Sequence, residues 1–196
     1  MPYQLAQLNI AVARAPLDSP VMADFVANRE RINALAAAAP GFIWAYQPEA
    51  GDAHVLLQST HPILFHLSVW QDPDALSRFV YRGEHAEWIR RRKEWFTGLA
   101  QTHAVLWWVV RNHRPTVDEA KFKLDLLLKN GPTREAFAFK RVFCPCDLPR
   151  FIGPVIPGRR PPVSQLNTLA ARTRSGSGSR DCCAAGPRCN AAAIAR

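Results

Sequence analysis

The sequence predicts an α+β fold built on one antiparallel sheet, and three observations carry the prediction. Apolar stretches of two-residue period alternate with stretches of helical period, in the order strand, helix, strand, strand, helix, strand. The helical stretches open on a capping residue and end or break at glycine. That order is a split βαβ unit, here followed by one more helix and a short strand.

The first strand is Tyr3 to Ala13. Ala6, Leu8, Ile10 and Val12 fall on one face, Gln7 and Asn9 on the other, so the polar face is either wet or lines a pocket. Ser19-Pro20 opens the first helix, with Met22, Phe25, Val26, Arg29, Ile32 and Ala36 at helical spacing; Pro40-Gly41 stops it. Phe42 to Tyr46 reads as a strand with Phe42, Trp44 and Tyr46 on one face, and Val55 to Gln58 as a local pairing.

Residues 65 to 96 organise the rest. Phe65, Leu67 and Val69 alternate with His66, Ser68 and Trp70, a strand with two different faces. Asp72 is an N-cap with Pro73 in the first turn, and Leu76, Phe79 and Val80 form an apolar stripe. An unbroken helix would continue that stripe through Gly83, Glu87 and Glu94, so a bend is expected near Arg82–Gly83. After it, Ile89, Phe96 and Leu99 share a face with His85 and Arg92, which turns His85 toward the sheet. The plain alternative for His85 is a core histidine with one hydrogen bond, and for Arg92 a side chain stretched along the rim.

His103 to Val110 is apolar on both faces, as in a covered central strand. Thr116 and Glu119 are spaced as a capping box for a helix carrying Leu124, Leu127 and Leu128 and ended by Asn130-Gly131. Residues 137 to 143 alternate again, a short strand or an arm to another subunit.

Two units follow: a domain over residues 1–146 and a basic low-complexity tail over 147–196, expected to be disordered. Net charge is +9, but residues 1–146 carry only 17 Lys+Arg against 14 Asp+Glu. The remaining eight basic residues, against two acids, lie in the tail, so the domain has no nucleic-acid signature. No apolar run is long enough to span a membrane, no secretory signal opens the chain, and a cytoplasmic location is expected. No Cys precedes Cys144, which argues against a disulfide framework, and Cys182, Cys183 and Cys189 are poorly spaced for a metal. Six Trp suggest an aromatic-lined interior, either core or cavity.

The blocks LAQLNIA, ADFVANRERINALAAAAPGF, SVW with ALSRFVYRGEHAEWIRRRKEWF, LWWV and HRPTVDEAKFKLDLL resemble a family of unknown function, DUF3291, over residues 4–143. The element order is the ferredoxin-like pattern, a four-stranded antiparallel sheet. The resemblance implies the dimeric α/β-barrel superfamily, and hence a homodimer through the sheet face. It places the chain among antibiotic-biosynthesis monooxygenases, haem-degrading enzymes and chlorite-dismutase-like proteins. Trp70, an acidic helix start and His85 fifteen residues on resemble the signature stretch of the small monooxygenases, and of spheroidene monooxygenase.

Three functions follow. One is a metal-free oxygenase for an aromatic or polyketide-like substrate, with His85 as base and Asn9, His66, Ser68, Trp70, Arg82, Arg92 and Phe96 as substrate contacts. The second is a haem protein with His85 as axial ligand and Arg82 or Arg92 at a propionate. The third is a non-catalytic binding or structural dimer, since no nucleophile elbow, phosphate loop or CxxC pair is present.

Overall fold

The structure is a computed structural model that describes residues 2–47, 62–97 and 104–145. Its centre is β1 (Tyr3–Ala13), whose alternating side chains let it be buried on both faces. On one side β3 (Ile63–Trp70) runs antiparallel to it, from Leu5 opposite Trp70 to Val12 opposite Ile63. On the other, β5 (Ala104–Val110) pairs from Tyr3–Val110 to Asn9–Ala104, and β4 (Phe96–Thr97) takes up the last two residues of β1. The strand β2 (Phe42–Ala45) lies outside β3. The four main strands are thus ordered β2-β3-β1-β5, all antiparallel, which is the split βαβ arrangement.

Each face has its own core. Ala6, Leu8, Leu67, Val69, Val105 and Trp107 meet Val117, Ala120, Leu124 and Leu127 of α4 (Val117–Asn130). On the reverse, Leu5, Trp70 and Leu106 meet Ala75 and Leu76 of α2 (Pro73–Tyr81) together with Phe137. A third cluster of Ala13, Met22 and Trp95 closes the far end of that same face. Helices of the same chain thus lie on both faces of the sheet.

The helix α2 begins as expected: Asp72 accepts a hydrogen bond from the Ala75 amide at 2.8 Å, with Pro73 just inside. It ends at Tyr81. Gly83 then takes φ 68°, ψ −154°, and α3 (Glu84–Arg91) starts in a new direction. An L side chain is strained in that region. An added Cβ there meets no heavy atom within 4 Å, so Gly83→Ala should cost only the backbone term, roughly 1–3 kcal/mol. A urea-unfolding midpoint unchanged from wild type would contradict the bend.

Several expectations are corrected. Phe42 and Trp44 do not share a face: a register shift between them sets Phe42 opposite Trp70 and Trp44 opposite Val69. One extra residue at a bulge moves every later side chain to the other face. The second helix stops at Arg91; a 3-10 turn over Arg92–Glu94 follows, and Phe96 is in β4. The helix α1 (Ala23–Ala38) buries only Ala36, while Val26 is 41% exposed. It is held by Phe25 against Trp95 and Phe96, by the Arg31–Glu84 ion pair and by contacts with β2. The preceding turn starts at Ser19-Pro20, but the Ser19 hydroxyl makes no capping bond.

The capping box is half made. Thr116 Oγ accepts from the Glu119 amide, but the Glu119 carboxylate turns to Trp107 Nε1 and His113 Nε2. The short strand over 137–143 reduces to a bridge between Phe137 and Leu106, because a turn joining Ala138 to Arg141 interrupts it. Cys144 is disulfide-bonded, at the edge of the domain for which no disulfide framework was expected. His103, Leu99, the pairing at Val55–Gln58 and the 147–196 tail lie outside the described residues.

Candidate functional site

The reverse face of the sheet carries a polar row between two apolar clusters. Leu5 and Trp70 begin it, Gln7 and Ser68 follow, and Asn9 stands opposite His66. Directly opposed residues of an antiparallel pair have neighbouring side chains, so these four polar groups form one patch. Gln7 and Ser68 are buried. Beyond Asn9 the face turns apolar again at Ala13.

Aromatic rings wall the patch. Trp70 is 1% exposed, and its Nε1 donates to Ser68 Oγ at 3.0 Å. Phe42 meets Trp70 edge-on at 5.3 Å between centroids, and Phe79 of α2 stacks on it at 5.2 Å. The His85 ring lies 4.5 Å beyond Phe79 at 36°. The bend at Gly83 makes this possible, because it sends the first turn of α3 back beside the end of α2.

His85 Nδ1 sits 3.2 Å from the Val80 carbonyl. A carbonyl only accepts, so Nδ1 holds the proton and Nε2 keeps its lone pair. Burial pulls the His85 pKa below the ordinary imidazole value, partly offset by that hydrogen bond. Burial, and then the charge of His85, push His66 down to about 4. The two imidazoles, one from the sheet and one from α3, thus feel each other, and His66 is neutral at pH 7.

Of the residues expected at a site, the fold brings together Asn9, His66, Ser68, Trp70 and His85. It sends the others elsewhere. Arg82 is exposed at the end of α2. Arg92 is exposed and bonds the Ile89 carbonyl at 2.6 Å. Phe96 pairs with Ala13, four residues along β1 from Asn9, or about 13 Å at the strand rise. There it meets Phe25 at 5.0 Å.

Two contributors escaped the sequence reading. Gln7 reads from the sequence as sharing with Asn9 a strand face that is wet or lines a pocket, but not as a site contact. Phe79 looked like one more residue of an apolar stripe, because its contact with His85 depends on the helix bend. Glu84, next to His85, is also drawn in: its Oε1 is buried and in ion-pair contact with Arg31 of α1.

An antiparallel sheet in split βαβ order, with an imidazole-bearing polar patch under its helices, defines a small α+β protein with a candidate small-molecule site. The chain belongs to the DUF3291 family, a domain of unknown function, which it matches over residues 4–150. Among solved structures it is similar to SnoaB, a cofactor-independent oxygenase from Streptomyces nogalater, at 17% identity and TM-score 0.36 over 58% of this chain and 96% of that one. It is also similar to NE2512, a protein of unknown function from Nitrosomonas europaea (14% identity, TM-score 0.37, 59% of this chain and 95% of that one). PA3566 from Pseudomonas aeruginosa is similar at 15% identity and TM-score 0.35, over 58% and 98% of the two chains. These likenesses assign no residue role here. No curated protein matches the chain. Among the described residues, no helix is long and apolar enough to cross a membrane, and no group of three or more His, Cys, Asp or Glu is placed to hold a metal ion.

Proposed function

We propose that the patch binds a small, electron-rich aromatic molecule and removes a proton from it, as the first step of an oxygenase-like reaction. One observation carries this reading: a neutral His85, oriented through Nδ1 by the Val80 carbonyl, beside a wall of Phe79 and Trp70. A base works best when it is unprotonated at working pH and fixed in direction. His85 Nε2 meets both conditions. The aromatic wall suits a planar substrate, and Asn9 offers an amide to the developing oxyanion. The deprotonated substrate then reacts with dioxygen. One oxygen atom enters at carbon, and the other leaves as water with the two hydrogens lost.

The alternative, haem ligated by His85, has less support. Phe79 already covers the His85 ring at 4.5 Å, and Arg92 is engaged by the Ile89 carbonyl instead of facing the patch.

The test is an oxygen electrode with a panel of polycyclic phenols and enols, beside imidazole NMR of His66 and His85. Uptake that falls about 10²–10⁴-fold in His85→Gln is expected. Unmoved imidazole signals across the panel, with no uptake, remove the reading.

A further inference from the structure

The opposite face holds a feature that the histidine patch does not use. Trp44 of β2 and Tyr46 just past it look across a groove of about 270 Å³ at Arg114, Thr116 and the start of α4. Trp44 is opposite Val69, so the groove lies on the far side of the sheet from His66 and Trp70.

Arg114 is exposed and makes no hydrogen bond or ion pair among the described residues. Of the two acids that follow it, Glu119 accepts from Trp107 Nε1 at 2.8 Å and meets His113 Nε2 at 2.7 Å, while Asp118 lines the groove without pairing to Arg114. Among the described residues Arg114 is therefore a cation with no ion-pair partner, in a groove it shares with two aromatic side chains. Thr116 Oγ and the Thr116 carbonyl take the amides of Glu119 and Ala120, which leaves those of Val117 and Asp118, both lining the groove.

We propose that this groove is a second binding site, for a single-ring aromatic monocarboxylate. The ring lies against Trp44 and Tyr46, and the carboxylate takes the Arg114 guanidinium. Size selects one ring: pockets for larger ligands run to roughly 300–1,000 Å³. Charge selects one carboxylate, because Asp118 also lines the groove and repels a second. The site is independent of the reading given for His85.

The experiment is fluorine NMR of 4-fluorobenzoate with the full chain, with 4-fluorobenzyl alcohol as the neutral counterpart. Benzoate should bind at least about tenfold more tightly than the alcohol, since charge-assisted hydrogen bonds are the strong ones. Arg114→Gln should bring the two together. Asp118→Asn should tighten benzoate by roughly threefold, through loss of a like charge, and His85→Gln should leave it unchanged. Equal affinity for acid and alcohol overturns the proposal. So does benzoate binding that survives Arg114→Gln but is lost in His85→Gln. Sedimentation showing a dimer that Trp44→Ala dissociates and benzoate does not also overturns it, because a second copy then fills the groove.

Discussion

Trp70→Ala is expected to destabilise the protein by about 3–5 kcal/mol, the range for removing a large buried aromatic. Trp70 is 1% exposed at the end of β3, opposite both Leu5 of β1 and Phe42 of β2. Its loss opens a cavity between sheet and α2, ends the edge-on contact with Phe42 and the stack with Phe79, and removes the donor to the buried Ser68 hydroxyl. For a domain of this size the thermal midpoint should fall by about ten degrees or more. Trp70→Phe keeps a ring but no N–H, and should cost about 1 kcal/mol through the hydrogen bond plus a smaller cavity term. The two variants, compared by urea unfolding, separate packing from hydrogen bonding. A Trp70→Ala protein that melts within two or so degrees of wild type would mean that the α2 contact does not form. Phe79 and His85 rest on that ring in series, so loss of ligand binding should accompany the loss of stability.

The second large effect is acid lability centred on His66. Its folded-state pKa of about 4 lies below the ordinary 6.5, so the folded protein favours the neutral ring. The unfolded chain then binds more protons between those values, and stability falls as pH falls. The contribution is fully present above pH 6.5, declines through the window down to 4, and is gone below it. Its size is on the order of 3 kcal/mol. His85, also lowered, adds loss in the same direction. Unfolding midpoints at pH 7.5, 5.5 and 4 should drop steeply for wild type and more gently for His66→Gln. Parallel curves for the two proteins would show that the His66 ring is hydrated.

Much of this architecture is legible in the sequence because it is local. Alternation separates Gln7 and Asn9 from Ala6 and Leu8 in β1, and His66, Ser68 and Trp70 from Leu67 and Val69 in β3, before any fold is known; which face meets which is set by the pairing. Asp72-Pro73, Gly83 and Thr116 mark helix ends through contacts spanning three or four residues. What escapes is set by distant partners. The bulge that parts Phe42 from Trp44 answers to β3, more than twenty residues on. Phe96 reads as the next turn of a helix, yet it pairs with Ala13, and no periodicity records that. Glu119 has the right spacing for a box but finds a tryptophan on β5 and a histidine in the loop. The same division runs through the candidate site. Its strand residues were readable, whereas the Phe79–His85 contact and the exposure of Arg82 and Arg92 follow from how α2, α3 and the turn after them are angled.

The docking of α4 on Ala6, Leu8, Val105 and Trp107 constrains assembly. A helix is roughly 10 Å across, and two sheets stacked face to face stand about 10 Å apart. The helix thus fills the storey in which a second sheet would lie. A partner sheet brought up to β1 and β5 meets α4 there before it meets the strands. Face-to-face pairing over those two strands runs through the seat of Val117, Ala120, Leu124 and Leu127. If α4 leaves that seat on pairing, association carries the steep temperature dependence of a partial unfolding reaction.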